Sequence, residues 1–196
     1  MKKVLLINAP PDSGKDEAAR IIIDLLTSKG IKSQHKEFKS TLFKAVKSAY
    51  GITNEVWEEL YTRENKELPS YYLTYGGVPI SPRQAMINMS EDVMKPLFGE
   101  KVFGIAAANS LEDGWNIFSD SGFDEEALPI INICGRENVK VLQIIRPNKT
   151  FEGDSRYWLS THLLGVGVEI CKNTGSLEEF HDTLIGNLID LGVIDE

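Results

Sequence analysis

Residues 4–20, VLLINAPPDSGKDEAAR, decide how the rest of the chain is read. Val4, Leu5, Leu6 and Ile7 form a β-rich apolar run, suited to a strand buried on both faces. Pro10 and Pro11 prevent a helix from starting early. Gly14 lets the backbone turn tightly and leaves no Cβ between its N–H and an anion. Helix-forming residues follow. Strand, glycine-containing loop and helix in this order make a phosphate-binding unit: successive N–H groups at a helix N-terminus form a positive concavity. Lys15 adds a mobile charge that reaches the β- and γ-phosphates of a nucleotide. The match to G-x-x-x-x-G-K-[ST] departs at both ends. Ala9 stands at the first glycine, and Asp16 stands where a Mg²⁺-binding hydroxyl belongs. The plain alternative is an ordinary glycine-containing βα turn. The candidate nucleotide-binding residues are Pro11, Asp12, Ser13, Gly14, Lys15, Asp16 and Glu17.

The 196 residues suffice for one α/β domain with a core of its own. A net charge of −8 argues against binding of duplex nucleic acid, which needs a basic face. Cys134 and Cys171 lie far apart in apolar surroundings with no metal-ligand spacing, as expected of free thiols in a reducing cytosol. The opening Lys2-Lys3-Val4-Leu5-Leu6 has too short an apolar run for a signal peptide, and no stretch approaches a membrane span.

Further along, apolar spacing predicts a helix over 17–28 and an extended run over 31–38. Ser40 is expected to cap a helix ending near Gly51, and Asn54 to begin another. Residues 62–82 read as a Gly/Pro-rich loop. Ser81-Pro82 opens a helix to about Met94, and 102–111 is helical. Strands are expected at 115–119, 139–145 and 166–171. A helix is expected over 124–134 despite Pro129, and a capping box at Ser176 opens a last helix to about Leu191. Alternating strands and helices predict an α/β fold: a parallel sheet of about five strands with helices on both faces. Ligands of such sheets sit at the carboxyl ends of strands, where Lys15, Asp120 and Arg146 converge.

Each further candidate carries an alternative. Asp120 either holds Mg²⁺ through water or caps the helix that follows. Arg83 either clamps an acceptor phosphate or is a surface arginine; its place in a helix's first turn, where the dipole disfavours a cation, favours the clamp. Arg63 and Lys66 sit on the same stretch. Arg146 and Arg156 are suited to stabilise charge on a transferring phosphoryl group. Tyr71, Tyr72 and Tyr75 either stack on a base or pack locally. His35, His162 and His181 show no partner pattern, and no nucleophile set stands out.

Ala9-Pro10-Pro11-Asp12-Ser13-Gly14-Lys15-Asp16 resembles the phosphate loop of bacteriophage deoxynucleoside monophosphate kinases, where Ser-Gly-Lys-Asp is usual. Glu17 stands where that family has Thr. Four further stretches agree in order. Lys66-Glu67-Leu68-Pro69 with Ser81-Pro82-Arg83-Gln84 resembles the region that helps form the monophosphate site. Phe118 to Glu126 resembles Asp-Val-Arg-Phe-x-x-Glu, with Gly122 in place of its Arg, so that one phosphate-binding charge is missing or supplied elsewhere. Ile144-Ile145-Arg146-Pro147 with Asp154-Ser155-Arg156 looks like the strand leading into a lid. Asn173-Thr174-Gly175-Ser176-Leu177 looks like the closing turn.

The resemblance implies a P-loop NTPase-type three-layer fold in one domain, with a helical acceptor-binding insertion over 39–112 and a lid over 146–160. It implies ATP, Mg²⁺ near Asp16 and Asp120, a deoxynucleoside monophosphate acceptor held by Arg83, Lys66, Arg63 and Tyr75, and often a dimer. Lys15, Arg146, Arg156 and Asp120 are then the catalytic set, working in the cytoplasm, which for a phage protein is the host's. Two rivals stand beside it: a kinase of another small phosphorylated acceptor such as dephospho-coenzyme A or phosphomevalonate, and a nucleotide-binding module without catalysis.

Overall fold

Strand β1 (Lys2–Asn8) alternates its buried side chains between two cores. Leu5 and Ile7 face one way, Val4 and Leu6 the other, as the two-residue period of a strand requires. All four are fully buried, so a continuous apolar run rather than an alternating one marks this strand. The computed structural model describes residues 1–195.

Downstream of β1 come α1 (Lys15–Ser28), β2 (Ser33–Lys36), α2 (Lys39–Tyr50), α3 (Asn54–Leu60), β3 (Ser70–Tyr75) and β4 (Val78–Ile80). Then follow α4 (Pro82–Asn88), α5 (Lys95–Phe98), α6 (Val102–Asn109), β5 (Gly114–Ser121) and α7 (Asp124–Cys134). The chain ends with β6 (Val139–Ile145), α8 (Thr161–Leu164), β7 (Gly167–Lys172) and α9 (Leu177–Asp190). The fold is α/β, as expected. Its two compact units are Met1–Phe38 with Gly104 onward, and Lys39–Phe103.

In the first unit the described residues form a five-stranded sheet of order β2-β5-β1-β6-β7, with parallel pairing throughout. One face carries α1 and α9, whose Ile22, Leu26, Phe180 and Leu184 pack with Leu5, Ile7, Leu142 and Ile144. The other carries α6 and α7, whose Ala107, Ala108, Ile130 and Ile131 pack with Val4, Leu6, Phe118 and Val141. From β1 the chain runs through α1 to the β2 edge, and later crosses β1 to reach β6 and β7. The connections leaving β1 and β6 therefore diverge, which opens a crevice at their carboxyl ends. α9 begins with the expected capping box between Ser176 and Glu179. Pro129 lies inside α7, buried, and the helix continues past it.

The second unit has a core of Val46, Trp57, Leu73, Ala85 and Met86. Trp57 stacks on Tyr61 with centroids 5.1 Å apart, and Phe43 meets both edge-on. Three expectations are corrected here. Residues 62–82 are not all loop: β3 and β4 form an antiparallel hairpin around Gly76 and Gly77, both at positive φ. Ser40 lies inside α2 rather than capping it. The helix opened by Ser81 and Pro82 does not stop near Met94; a π-helical turn over Met89–Met94 joins α4 to α5.

Candidate functional site

The loop after β1 owes its shape to two left-handed residues, Asp12 (φ 58°) and Gly14 (φ 95°), on either side of Ser13. Backbone of this kind turns successive N–H groups into one concavity. The first helical bond of α1 runs from Ala18 N–H to Gly14 O at 2.9 Å. The amides of Lys15, Asp16 and Glu17 are thus helix-start donors without an intrahelical acceptor. A Cβ at Gly14 would stand 2.6 Å from Asn173 Nδ2. That amide, just past β7, donates to Ser13 O at 3.0 Å and ties the loop to the sheet. Ser13 is fully buried, and its hydroxyl has no hydrogen-bond partner among the described residues.

Asp12, Gly14, Lys15, Asp16, Glu17 and Arg146 line a cleft of about 240 Å³. Arg146 follows β6 directly, and its Nη1 donates to Asp12 O at 3.1 Å. Lys149 pairs with Asp12 at 3.6 Å. The structure thus brings Lys15 and Arg146 together, at the crevice between β1 and β6. Lys15 Nζ lies 3.3 Å from Asp16 Oδ2; Asp16 is largely exposed. Pro11 is exposed at the loop's tip. The Glu17 side chain turns along α1 to Arg20, whose Nε donates to it at 3.0 Å. Hydrogen bonding to that guanidinium holds the Glu17 carboxyl below its ordinary value.

Asp120, at the end of β5, accepts the Phe38 N–H on Oδ1 at 2.9 Å. It does not cap α7, whose N-cap residue is Phe123. Arg156 is largely hidden and chelated by Asp154: Nε and Nη2 donate to the two carboxylate oxygens at 3.0 and 2.6 Å. Those bonds raise the guanidinium above its ordinary value against the opposing effect of burial, and the charges of Asp120 and Asp16 add to the rise. Both carboxylates expected to hold Mg²⁺ therefore lie within electrostatic reach of one cation. Among the described residues no group of three or more His, Cys, Asp or Glu side chains is arranged to hold a metal. Two hard oxygen donors nonetheless suit Mg²⁺, which keeps several waters and takes its remaining ligands from phosphate.

In the second unit, Arg83 Nε donates to Glu67 Oε1 at 2.6 Å, and the Arg83 N–H donates to Lys66 O at 3.0 Å. The two stretches that hold the predicted acceptor ligands are thus in contact, with Arg83 tied to a carboxylate. Arg63 is exposed in the same segment. The Tyr75 hydroxyl donates to Asp92 at 3.3 Å, while Tyr71 and Tyr72 point outward from the hairpin.

Two residues escape the sequence reading, Asn8 and Gln143, and for Asp154 and Asn173 it offers no partner. Asn8 is fully buried, and its amide donates to Ser121 O and Tyr157 O at 3.1 and 3.0 Å. Its Oδ1 accepts from Leu159 N–H at 2.9 Å and from Gln143 Nε2 at 3.3 Å. The available signal is an amide side chain within each of two apolar strands, Asn8 at the end of β1 and Gln143 inside β6, where a polar group is admitted only with partners.

No protein-family model and no curated protein matches the chain. Solved structures similar to it include a gluconokinase from Sinorhizobium meliloti 1021 (11% identity, TM-score 0.43, 97% of this chain and 93% of that one). A sugar kinase from Janibacter sp. HTCC2649 gives 11% identity and a TM-score of 0.40 over 100% and 96% of the two chains. A plasmid partition protein from Borrelia burgdorferi B31, bound to AMPPNP, gives 15% and 0.42 over 100% and 82%. Likenesses at these scores carry no weight for function, which rests on the geometry above.

Proposed function

We propose that this protein is a kinase that transfers the γ-phosphoryl group of ATP to a deoxynucleoside 5′-monophosphate. The observation that carries this is the cleft after β1, where a left-handed loop, the first amides of α1, Lys15 and Arg146 surround one space. Such a space is rich in donors and offers no nucleophile, which suits phosphoryl transfer: positioning and charge neutralisation do most of the work. The acceptor's phosphate oxygen forms the new P–O bond as the bond to the ADP oxygen breaks, and the protein supplies no covalent intermediate. The loop amides and Lys15 hold the triphosphate. Arg146 and Arg156 stabilise charge on the group in transit. Asp16 and Asp120 would hold Mg²⁺, which when bound neutralises phosphate charge. Arg83, with Lys66 and Arg63, orients the acceptor phosphate, and Tyr75 contacts the acceptor's nucleoside. The family resemblance extends the proposal to a homodimer in the host cytoplasm.

A coupled ADP-release assay over the four deoxynucleoside monophosphates, their ribo counterparts, dephospho-coenzyme A and phosphomevalonate tests this. ADP release dependent on a deoxynucleotide is the expected result. Release with another acceptor alone reassigns the substrate, and ATP binding without any acceptor-dependent ADP identifies a non-catalytic module. Lys15→Ala should lower turnover about a hundredfold or more, the scale of losing one preorganised donor.

A further inference from the structure

Residues 154–160, within the stretch the resemblance reads as a lid, form a strap that passes over the carboxyl ends of β1 and β5. Seven hydrogen bonds pin it to the structure below, one of them from Gln143 Nε2 to Leu159 O at 3.5 Å. Tyr157 N–H donates to Gly122 O at 3.0 Å. Asn8 grips the strap twice, through Tyr157 O and Leu159 N–H. The Tyr157 hydroxyl accepts from Asp124 N–H at 3.1 Å and donates to Glu125 at 2.9 Å, and Ser160 N–H donates to Asp124 Oδ1 at 2.9 Å. The fully buried Asn8 amide thereby uses both donors and its acceptor oxygen, so the strap cannot lift without stranding buried polar groups.

Gly122 explains where Arg156 comes to rest. Its φ is not in the left-handed region, so the backbone there would accept another residue. Space does not. A Cβ on Gly122 would lie 2.5 Å from both Cβ and Cγ of Arg156 and 2.8 Å from its Cδ. The arginine stem fills the volume that a side chain at position 122 would need. Asp154 then fixes the head through Nε and Nη2, which leaves Nη1 and one Nη2 hydrogen to a ligand.

We propose that Arg156 is a preset cation, seated by Gly122 and Asn8 before any nucleotide arrives, and that Gly122 and Asn8 are positioning residues for phosphoryl transfer. The role in transfer rests on the function proposed above; the seating itself does not. A guanidinium placed in advance needs no reorganisation as charge develops on the transferring group, whereas one carried by a closing segment must be ordered each turnover.

Two measurements test this. In the nucleotide-free protein, the amide hydrogens of Tyr157 and Leu159 should exchange with solvent as slowly as those of β6. Exchange at the rate of an open loop would overturn the seating, whatever the protein's activity proves to be. Gly122→Ala and Arg156→Gly should each lower kcat about a hundredfold, with the affinity for a fluorescent ATP analogue nearly unchanged. Arg156→Gly is the right partner because the Cβ of residue 156 is itself part of the clash. In the Arg156→Gly background, Gly122→Ala should cost nothing further, since there is no stem left to displace. A Gly122→Ala enzyme with full kcat, or losses that multiply in the double variant, would refute the positioning role. A wild-type protein that binds no ATP would defeat the phosphoryl-transfer function and leave the exchange data to decide the seating.

Discussion

Replacing Gly14 by alanine perturbs the site at the point where backbone and side chain constraints meet. The residue sits at φ 95°, ψ 13°, a left-handed conformation that costs an L-residue with a Cβ about 1–2 kcal/mol. The new methyl would also stand 2.6 Å from Asn173 Nδ2. Either the loop or Asn173 must retreat, and the 3.0 Å bond from Asn173 to Ser13 O is what breaks. One hydrogen bond contributes about 0.5–1.5 kcal/mol. Together the two effects come to about 1.5–3.5 kcal/mol, less than the usual 5–15 kcal/mol of a folded domain, so the variant still folds. Urea denaturation should show a lower midpoint with an unchanged slope. Binding of a fluorescent ATP analogue should weaken about ten- to a hundredfold, at about 1.4 kcal/mol per decade, because the amides no longer converge. In an Asn173→Gly background the stability cost of Gly14→Ala should shrink toward the backbone part alone. An equal cost in both backgrounds would show that Asn173 does not brace the loop. Full ATP affinity in Gly14→Ala would refute the claim that this loop holds the phosphates.

Burial pushes the Cys171 thiol up to about 11 from an ordinary 9.0. Below pH 9 the thiol is neutral folded or unfolded; from there to about pH 11 only the unfolded chain ionises, so stability falls as pH rises, by about 2–3 kcal/mol in all. Urea midpoints taken from pH 8 to 11 should fall more steeply for the wild type than for Cys171→Ala; parallel curves would exclude the thiol as the cause. Leu73 is the one buried side chain of β3, and Leu73→Ala should cost about 2–5 kcal/mol. The loss should appear as faster protease cleavage and amide exchange within residues 39–103, and an undisturbed hairpin would show that Leu73 does not anchor it.

Most of the first unit could be read from local signals because its strands are continuous apolar runs and its helix ends carry explicit stops. Val139–Ile145 is bounded by a glycine-led turn and by Arg146-Pro147, and the strand begins and ends where the pattern says. Ser176 and Glu179 announce α9 through a bond geometry that needs only four residues. The hairpin is hidden from such a reading for the opposite reason. In β3 only Leu73 is buried, so three exposed tyrosines mask the alternation, and Gly76-Gly77, a two-residue hairpin signal, reads as loop composition. The π-helical turn leaves no such mark, since one extra residue within a helical stretch shifts the register without changing the kind of residue.

The site is legible in the sequence as a list of cations, but spacing along the chain says nothing of what holds each one. Lys15 lies against Asp16, Arg83 against Glu67 and Arg156 against Asp154, so three of the candidate phosphate ligands already have a carboxylate partner. These pairs are not equivalent. Arg83 and Glu67 are both about half exposed, at 52% and 53%, and Asp16 is 80% exposed. Exposed pairs contribute about 0–1 kcal/mol, so a phosphate bearing more than one charge displaces such a carboxylate easily. Arg156 and Asp154 are only 19% and 18% exposed, and two hydrogen bonds join them. Separating them would strand a buried charge at a cost of several kcal/mol. In the proposed function Arg156 therefore meets phosphate with the hydrogens Asp154 leaves unused, and its partner stays in place throughout. Lys15 and Arg83 in that function exchange an exposed carboxylate for phosphate, whereas Arg156 keeps Asp154 and adds a ligand; that difference follows from the exposure of the carboxylate partner, which no spacing of residues along the chain records.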